Sequence, residues 1–394
     1  MVPNGWEKHP VGKLCKSIVP GRNKPKVFDG DIPWVTTPEI SGKYIPSNKQ
    51  KNFISQVVAK ECGAKVVPKG AVVIAAVGEL GLTAIATEEI ILNQQLHAFV
   101  CPNDLDNEYL AYFLSAQKPY MNTVASKTTI PYMNKSNCES IPVLLPPLPE
   151  QRKIAKTLST WDKAISTTEK LIETSKQQKK ALMQQLLTGK KRLVNPETGK
   201  VFEGEWEEFK LGELFAERVE TKRDDLPLLS ITSSDGVVYQ EDTGRKNTSN
   251  DDKSKYRRIC VNDIGYNTMR MWQGRSSISN KEGIVSPAYT ILIPQQNVAP
   301  MYASYLFKLP RLVHVFERNS QGLVSDTWNL KYPHFAKIKW SFPCLKEQQK
   351  IAAILTAADK EIEVLEAKLS HFKQEKKALM QQLLTGKRRV SLSS

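Results

Sequence analysis

The segment KKALMQQLLTGK stands at residues 179–190 and again at residues 376–387 without a difference. The match extends upstream at the same offset of 197, because EQRKIAKTLSTWDKAI at Glu150 aligns with EQQKIAAILTAADKEI at Glu347. A weaker match pairs GWEKHPVGKL around Trp6 with EWEEFKLGEL around Trp206 at an offset of 200. Each half therefore begins alike, diverges, and ends alike. The chain reads as a duplicated half, and a fold must place both copies equivalently.

Within the repeated segments, apolar residues alternate at spacings of four and three. The first copy gives Ile154, Leu158, Trp161, Ile165, Ile172, Leu182 and Leu186, and the second Ile351, Leu355, Ala358, Ile362, Leu365, Leu369, Phe372, Leu379 and Leu383. This is a heptad seam, with Lys179 and Lys376 at one seam position, and it predicts two long helices pairing as a coiled coil. Gly189 and Gly386 are suited to the left-handed residue that closes a helix. Pro146, Pro147 and Pro149 upstream of the first copy, and Pro343 upstream of the second, are expected to lie outside the helices and mark where the preceding domain stops. Pairing constrains seam positions and leaves outer ones free, yet Lys180, Gln184 and Gln185 recur as Lys377, Gln381 and Gln382. The expectation is that one kind of partner docks on both copies through these six residues.

Fifty-six Lys and Arg against forty-one Asp and Glu leave a net charge of +15, which favours a polyanion, because each neutralised phosphate releases a counterion. Residues 150–192 alone carry eleven basic and four acidic residues. No leader-like opening and no apolar run long enough to cross a bilayer are present, so a cytoplasmic protein with no membrane partner is expected. Six scattered cysteines without a CxxC, and five histidines without metal-ligand spacing, predict reduced, structural thiols and no metal site.

The regions between the repeats hold short β-rich runs, such as KVVPKGAVVIAAV and GIVSPAYTILI, beside helical stretches such as NEYLAYFLSAQ and APMYASYLFKL. Both are expected to be mixed α/β domains. Their loops are rich in groups that suit phosphate and base-edge contacts. In the first half these are Arg22, Lys24 and Lys26, then Lys43, Lys49 and Lys51. In the second they are Arg245, Lys246, Lys255 and Arg257, then the NTMRMWQGRSS stretch with Arg270, Trp272, Gln273 and Arg275. A single loop lysine is by default a solvated side chain. The case for nucleic acid rests on clusters recurring in both halves, and on Arg and Gln as readers of guanine and adenine in the major groove. Trp272 either stacks there or packs structurally. No GxxxxGK[ST] phosphate loop, no Asn-Pro-Pro-aromatic adenine-methylation motif and no paired acidic nuclease signature is found, so a non-catalytic chain is expected.

Two dissimilar basic domains, closed by PPLPEQRKIAKTL and FPCLKEQQKIAAIL and each followed by a long helix ending in QQLLTGK, resemble the specificity subunit of type I restriction–modification enzymes over essentially the whole chain. The resemblance implies two target-recognition domains, residues 1–149 and 191–346, joined by two antiparallel spacer helices, 150–190 and 347–388, with a short tail at 389–394. Each domain would read one half of a bipartite double-stranded DNA site, and the helices would dock two modification subunits and, through them, two restriction subunits. S-adenosylmethionine would act on the modification partner, and ATP and Mg on the restriction partner, with no cofactor held by this chain. The resemblance also makes recognition loops of Ser126–Asn134, with Ser126, Lys127, Thr128 and Asn134, and of Ser320–Asn329, with Ser320, Gln321 and Asn329. The first domain lacks an Arg-Trp-Gln counterpart and offers AAVGELGLTA instead, so other loops would supply its base contacts. The rival reading is a coiled-coil scaffold that binds nucleic acid nonspecifically.

Overall fold

The computed structural model describes residues 2–21, 23–46, 50–232, 236–244, 249, 251–323 and 327–391. The chain divides into two compact units, Met1–Glu169 with Ala367–Ser394, and Lys170–Glu366. Each unit holds one α/β domain, the first half of the long helix that follows it, and the second half of the other long helix.

The core of the first unit is an antiparallel sheet in the order Lys16–Ile18, Leu96–Val100, Val72–Ala75, Thr83–Ala86, with Tyr44–Ile45 added parallel at the edge. The apolar run VVIA is buried throughout because both of its faces are covered. Val72 and Ile74 pack with Tyr109, Leu110 and Phe113 of the helix Asn107–Ala116. Val73 and Ala75 face the opposite way, towards a cluster containing Val35, Ile90 and Leu92. Those three residues belong to a second sheet ordered Phe53–Ile54, Ile32–Val35, Ile90–Leu92, Val66–Val67.

The second unit keeps the central sheet, in the order Phe215–Glu217, Tyr289–Pro294, Ile264–Asn267, Ser276–Ile278, all antiparallel. Two short ribbons replace the second sheet, Leu229–Ile231 with Val237–Tyr239, and Arg257–Ile259 with Gly283–Val285. In both units a ribbon joins the start of the domain to its end, Glu7–Pro10 with Pro142–Leu145, and Glu207–Lys210 with Lys339–Phe342. The repeated glycine after each ribbon has a steric cause. A methyl group on Gly12 would lie 2.6 Å from Glu139 Cβ, and one on Gly212 would lie 2.7 Å from Ala336 Cβ.

The long helices are Leu148–Leu186 and Leu345–Leu383, each of 39 residues. Pro149 lies inside the first turn, contrary to the sequence expectation. A missing N–H costs nothing there, because the first turn has no carbonyl partner to offer it. Both helices end on a left-handed glycine, Gly189 at φ 68° and Gly386 at φ 66°. The amides of Lys191 and Arg388 reach back to the carbonyls of Gln185 (3.1 Å) and Gln382 (3.2 Å).

Within each unit the two helix halves run antiparallel, and their ends enter the domain core. Ile154, Leu158, Leu383 and Leu384 share one cluster with Tyr109, Phe113 and Val143. Ile351, Leu355, Leu186 and Leu187 do the same with Tyr302 and Phe342. The seam is thus shared between helix pairing and helix-to-domain packing.

Three polar clasps recur at the repeat offset. Buried Glu150 accepts from Arg389 Nε (2.6 Å) and Nη2 (2.7 Å) and from Trp6 Nε1 (3.1 Å), while buried Glu347 accepts from Arg192 Nε and Nη2, both at 2.8 Å. Gln151 donates to the carbonyl of Pro146 (2.9 Å) and accepts from the amide of Asp106 (2.8 Å). Gln348 does likewise with Pro343 (2.9 Å) and Ala299 (2.9 Å). Lys376 pairs with Asp162, which also accepts from the Tyr112 hydroxyl, and Lys179 pairs with Asp359, which accepts from Tyr305. Each lysine lies over the ring of its tyrosine at 5.3 Å. These clasps account for the EQ dipeptide, the seam lysines and the terminal glycines inside the chain itself. The repeated identity at these positions is therefore an internal requirement, distinct from that of the six outer residues assigned to a shared partner. The seam also differs between units at one level, where Trp161 meets Phe372 edge-on at 5.6 Å. At the same repeat positions the second unit has Ala358 and Ser175, the latter donating to Glu361 at 3.3 Å.

Two stability predictions follow from buried groups. Arg192→Ala strips the cation from Glu347, whose side chain is 0% exposed, and should cost about 3 kcal/mol. Lys346→Ala breaks only an exposed pair with Glu197 and should leave the urea midpoint unchanged. His97 is 2% exposed, contacts Ser17 Oγ at 2.6 Å, and is held down to a pKa of about 4, chiefly by burial and less by Lys135, with Glu139 opposing. Its neutral form is the folded form, so its stabilisation is complete above the ordinary value of 6.5 and is lost as pH falls towards 4. Between pH 7 and 5.5 urea titrations should show a loss of about 1 kcal/mol that His97→Gln abolishes.

Candidate nucleic-acid interface

In each unit the hairpin loop between two central strands meets the loop that precedes the closing ribbon. In the second unit, residues 268–275 connect Ile264–Asn267 to Ser276–Ile278. Buried Met271 anchors a 3-10 turn, Met271–Gln273, and the Gln273 amide donates to the Arg270 carbonyl at 3.0 Å. Gly274 ends the turn at φ 73°, and a methyl there would lie 2.9 Å from Val313 Cγ2. This geometry leaves Arg270, Gln273 and Arg275 exposed, with no acidic partner for either arginine among the described residues.

The second loop is tied to the first. The Leu330 amide donates to the Thr268 carbonyl (2.8 Å), and Gln321 and Asn329 exchange both backbone hydrogen bonds at 2.8 Å. Trp272 donates its indole N–H to the Met269 carbonyl (3.0 Å) and meets the edge of Trp328 with ring centroids 5.6 Å apart. Sequence reasoning bounded the 320–329 stretch but left Trp328 unnamed, although a tryptophan amid polar residues was its signal. Gln321 is exposed, while Ser320 donates to the Phe316 carbonyl (2.8 Å) and so ends a helix. The Asn329 side chain donates to the Gln321 and Thr327 carbonyls, both at 3.2 Å, and holds the loop closed.

The first unit repeats the plan with other residues. The Met133 amide donates to the Ala76 carbonyl (2.8 Å) and the Gly78 amide to the Pro131 carbonyl (2.9 Å). The AAVGELGLTA segment therefore occupies the place of NTMRMWQGRSS, with Gly81 at φ 94° packed on Lys118 as Gly274 is on Val313. Lys127 is exposed. Ser126 and Thr128 contact each other at 3.1 Å, and Asn134 caps the helix Lys135–Glu139 by accepting from Asn137.

The remaining candidates divide by how they are held. Lys24, Lys26 and Lys51 are exposed, and Lys24 and Lys26 line a cleft of about 590 Å³. Lys255 is exposed beside a polar cleft of about 550 Å³ that Gln240, Asn267 and Tyr256 also line. Lys43 is occupied within the fold, donating to Glu108 at 3.0 Å and to the Tyr112 hydroxyl at 3.2 Å. Arg257 is likewise engaged by Glu217, so neither charge stands open for phosphate. Arg22, Lys49, Arg245 and Lys246 lie outside the described residues. Lys180, Gln184 and Gln185, and their counterparts Lys377, Gln381 and Gln382, are all exposed. No helix of the described residues is long and apolar enough to cross a membrane.

The profile of the type I restriction modification DNA specificity domain matches residues 3–176 and 203–373. The MjaVIII specificity subunit of Methanocaldococcus jannaschii is 26% identical over 418 aligned positions, covering 99% of this chain and 94% of that protein. The MjaIX specificity subunit of the same organism is 25% identical over 175 residues, 43% of this chain and 40% of the relative, so the chain spans less than half of that relative's length. The crystal structure of the type I S subunit from M. genitalium superposes with a TM-score of 0.57 at 15% identity, covering 100% of this chain and 99% of that one. The HsdS subunit from Thermoanaerobacter tengcongensis gives 0.53 at 16% identity, covering 98% of both chains. At such identity the structures support the fold alone, and the profile carries the family. With two matched halves, a repeated helix after each and paired loops at equivalent places, this chain belongs to the type I restriction–modification DNA specificity family, as a DNA-recognition subunit without catalytic chemistry of its own.

Proposed function

We propose that this chain reads a bipartite duplex target, one half with each α/β domain, and carries two adenine-methyltransferase subunits on the exposed outer faces of its repeated helices. Restriction subunits join through those partners; S-adenosylmethionine is bound by the methyltransferase subunits, and ATP and Mg by the restriction subunits. The observation that carries the reading is the pairing of loops in each unit, with Arg270, Gln273 and Arg275 exposed at one of them. Arg to guanine and Gln to adenine are the favoured bidentate contacts in the major groove, and a tryptophan pair beneath them holds their backbone in place. The partner faces rest on the six exposed identical residues, since their exposure removes a packing reason for their identity.

Replacing residues 193–343 with the corresponding domain of another family member should change one half of the methylated motif and leave the other half and the gap as they were. Methylome sequencing of cells carrying the hybrid and its methyltransferase reads this directly, and a change in both halves overturns the modular reading. Arg270→Ala should weaken binding to the cognate duplex by about tenfold or more and relax preference at one base position. Lys255→Ala should weaken all duplexes alike and lower the salt slope by about one. Anisotropy titrations at several salt concentrations separate the two, and equal loss on every sequence from Arg270→Ala removes it from direct readout.

A further inference from the structure

The first unit contains an open cleft of about 830 Å³ between the closing ribbon, the helix Asn107–Ala116 and the last turns of the second long helix. Buried Phe113 and Leu384 and half-buried Leu144 and Met380 form its apolar floor, with Ser115, Gln117, Gln381 and Thr385 also lining it. Its rim carries Lys8, Lys118, Lys377 and Lys387, all exposed and none with an acidic partner among the described residues, and no Asp or Glu lines it. Four unpaired cations around an apolar floor select a ligand with apolar bulk at its centre and carboxylates at its edge. A duplex backbone would satisfy the rim but leave the floor uncovered.

The second unit is built otherwise at the equivalent place. The repeat that aligns Trp6 with Trp206 puts Glu208 where the first unit has Lys8, and Glu208 pairs with Lys339 at 3.0 Å. Arg311 lies over the Trp340 ring at 5.8 Å. There the ribbon's charges neutralise each other and an aromatic ring is already covered. The helix segments are identical in the two units, but the domain surfaces beside them are not.

We infer that the cleft in the first unit receives an acidic, apolar-centred segment of the protein that docks on the repeated helices, so that the two docking faces are chemically unequal. The inference rests on the proposed docking of two methyltransferase subunits. One copy binds through the helix face and the cleft, and the other through the helix face alone. The first step is the tighter and the more sensitive to salt.

The test titrates the full-length chain with the methyltransferase subunit of the same system and resolves one-to-one and two-to-one species by native mass spectrometry at two salt concentrations. The wild-type chain should show two steps, the tighter weakening more with salt. Lys8→Glu with Lys118→Glu should weaken that step by about tenfold or more and leave the other unchanged, with Lys8→Gln and Lys118→Gln giving a smaller loss in the same step. Unchanged thermal melting confirms that these exposed substitutions preserve the fold. Two steps untouched by the reversal, or a loss confined to DNA affinity with assembly intact, overturns the cleft as a docking site. If the wild-type chain binds no methyltransferase, or if Lys180→Glu and Lys377→Glu leave both steps intact, the helix-docking reading itself fails.

Discussion

Two carboxylates, Glu150 and Glu347, hold the arrangement together, each buried at the start of a long helix and each neutralised by an arginine just past the end of the other helix. A buried carboxylate without its cation is among the costliest features a core can contain. It therefore enforces the antiparallel register of the helix ends, the left-handed glycine that turns each chain towards its carboxylate, and the tryptophan beneath the turn. Gly189 shows how tight that turn is, since a methyl there would lie 3.3 Å from the Trp206 ring. The Lys-Asp-Tyr clasp about three turns further along serves a second purpose, connecting both helices to the domain helix that carries Tyr112 or Tyr305.

Much of this was legible in the sequence. The heptad spacing and the terminal glycines gave the helices to within a few residues, and the internal repeat gave two units built alike, because both are local patterns with a direct geometric meaning. What periodicity could not convey was which repeat completes which domain. Lys179 and Lys376 read as polar interruptions of a seam, and only three-dimensional pairing exposes them as cations for Asp359 and Asp162. Pro149 was misplaced for a related reason, since a composition rule about helix interiors was applied to a first turn, where it does not hold.

The loop residues were harder to read. A lysine in a polar stretch looks the same in sequence whether it faces solvent, as Lys255 does, or is claimed by Glu108 and two aromatic rings, as Lys43 is. The acceptor lies 65 positions away, beyond any local signal. Where two loops had to meet, backbone hydrogen bonds accomplished it with different side chains in each unit. Val77 bridges Tyr132 in the first unit, whereas Trp272 abuts Trp328 in the second. The two units thus share backbone geometry at these loops while their side chains diverge.

The reciprocal clasps also set an order of events during synthesis. The second unit draws all its parts from one continuous stretch, Lys170–Glu366, and can close once that stretch has emerged. The first unit cannot, because Glu150 waits 239 positions for Arg389, and Leu383 and Leu384 arrive almost as late. At ribosomal speeds of about 5–20 residues per second, its Ile154 and Leu158 wait on the order of ten seconds or more for Leu383 and Leu384 to complete their cluster. The domain made first is thus the one finished last, its core closed only by the final turns of the second long helix.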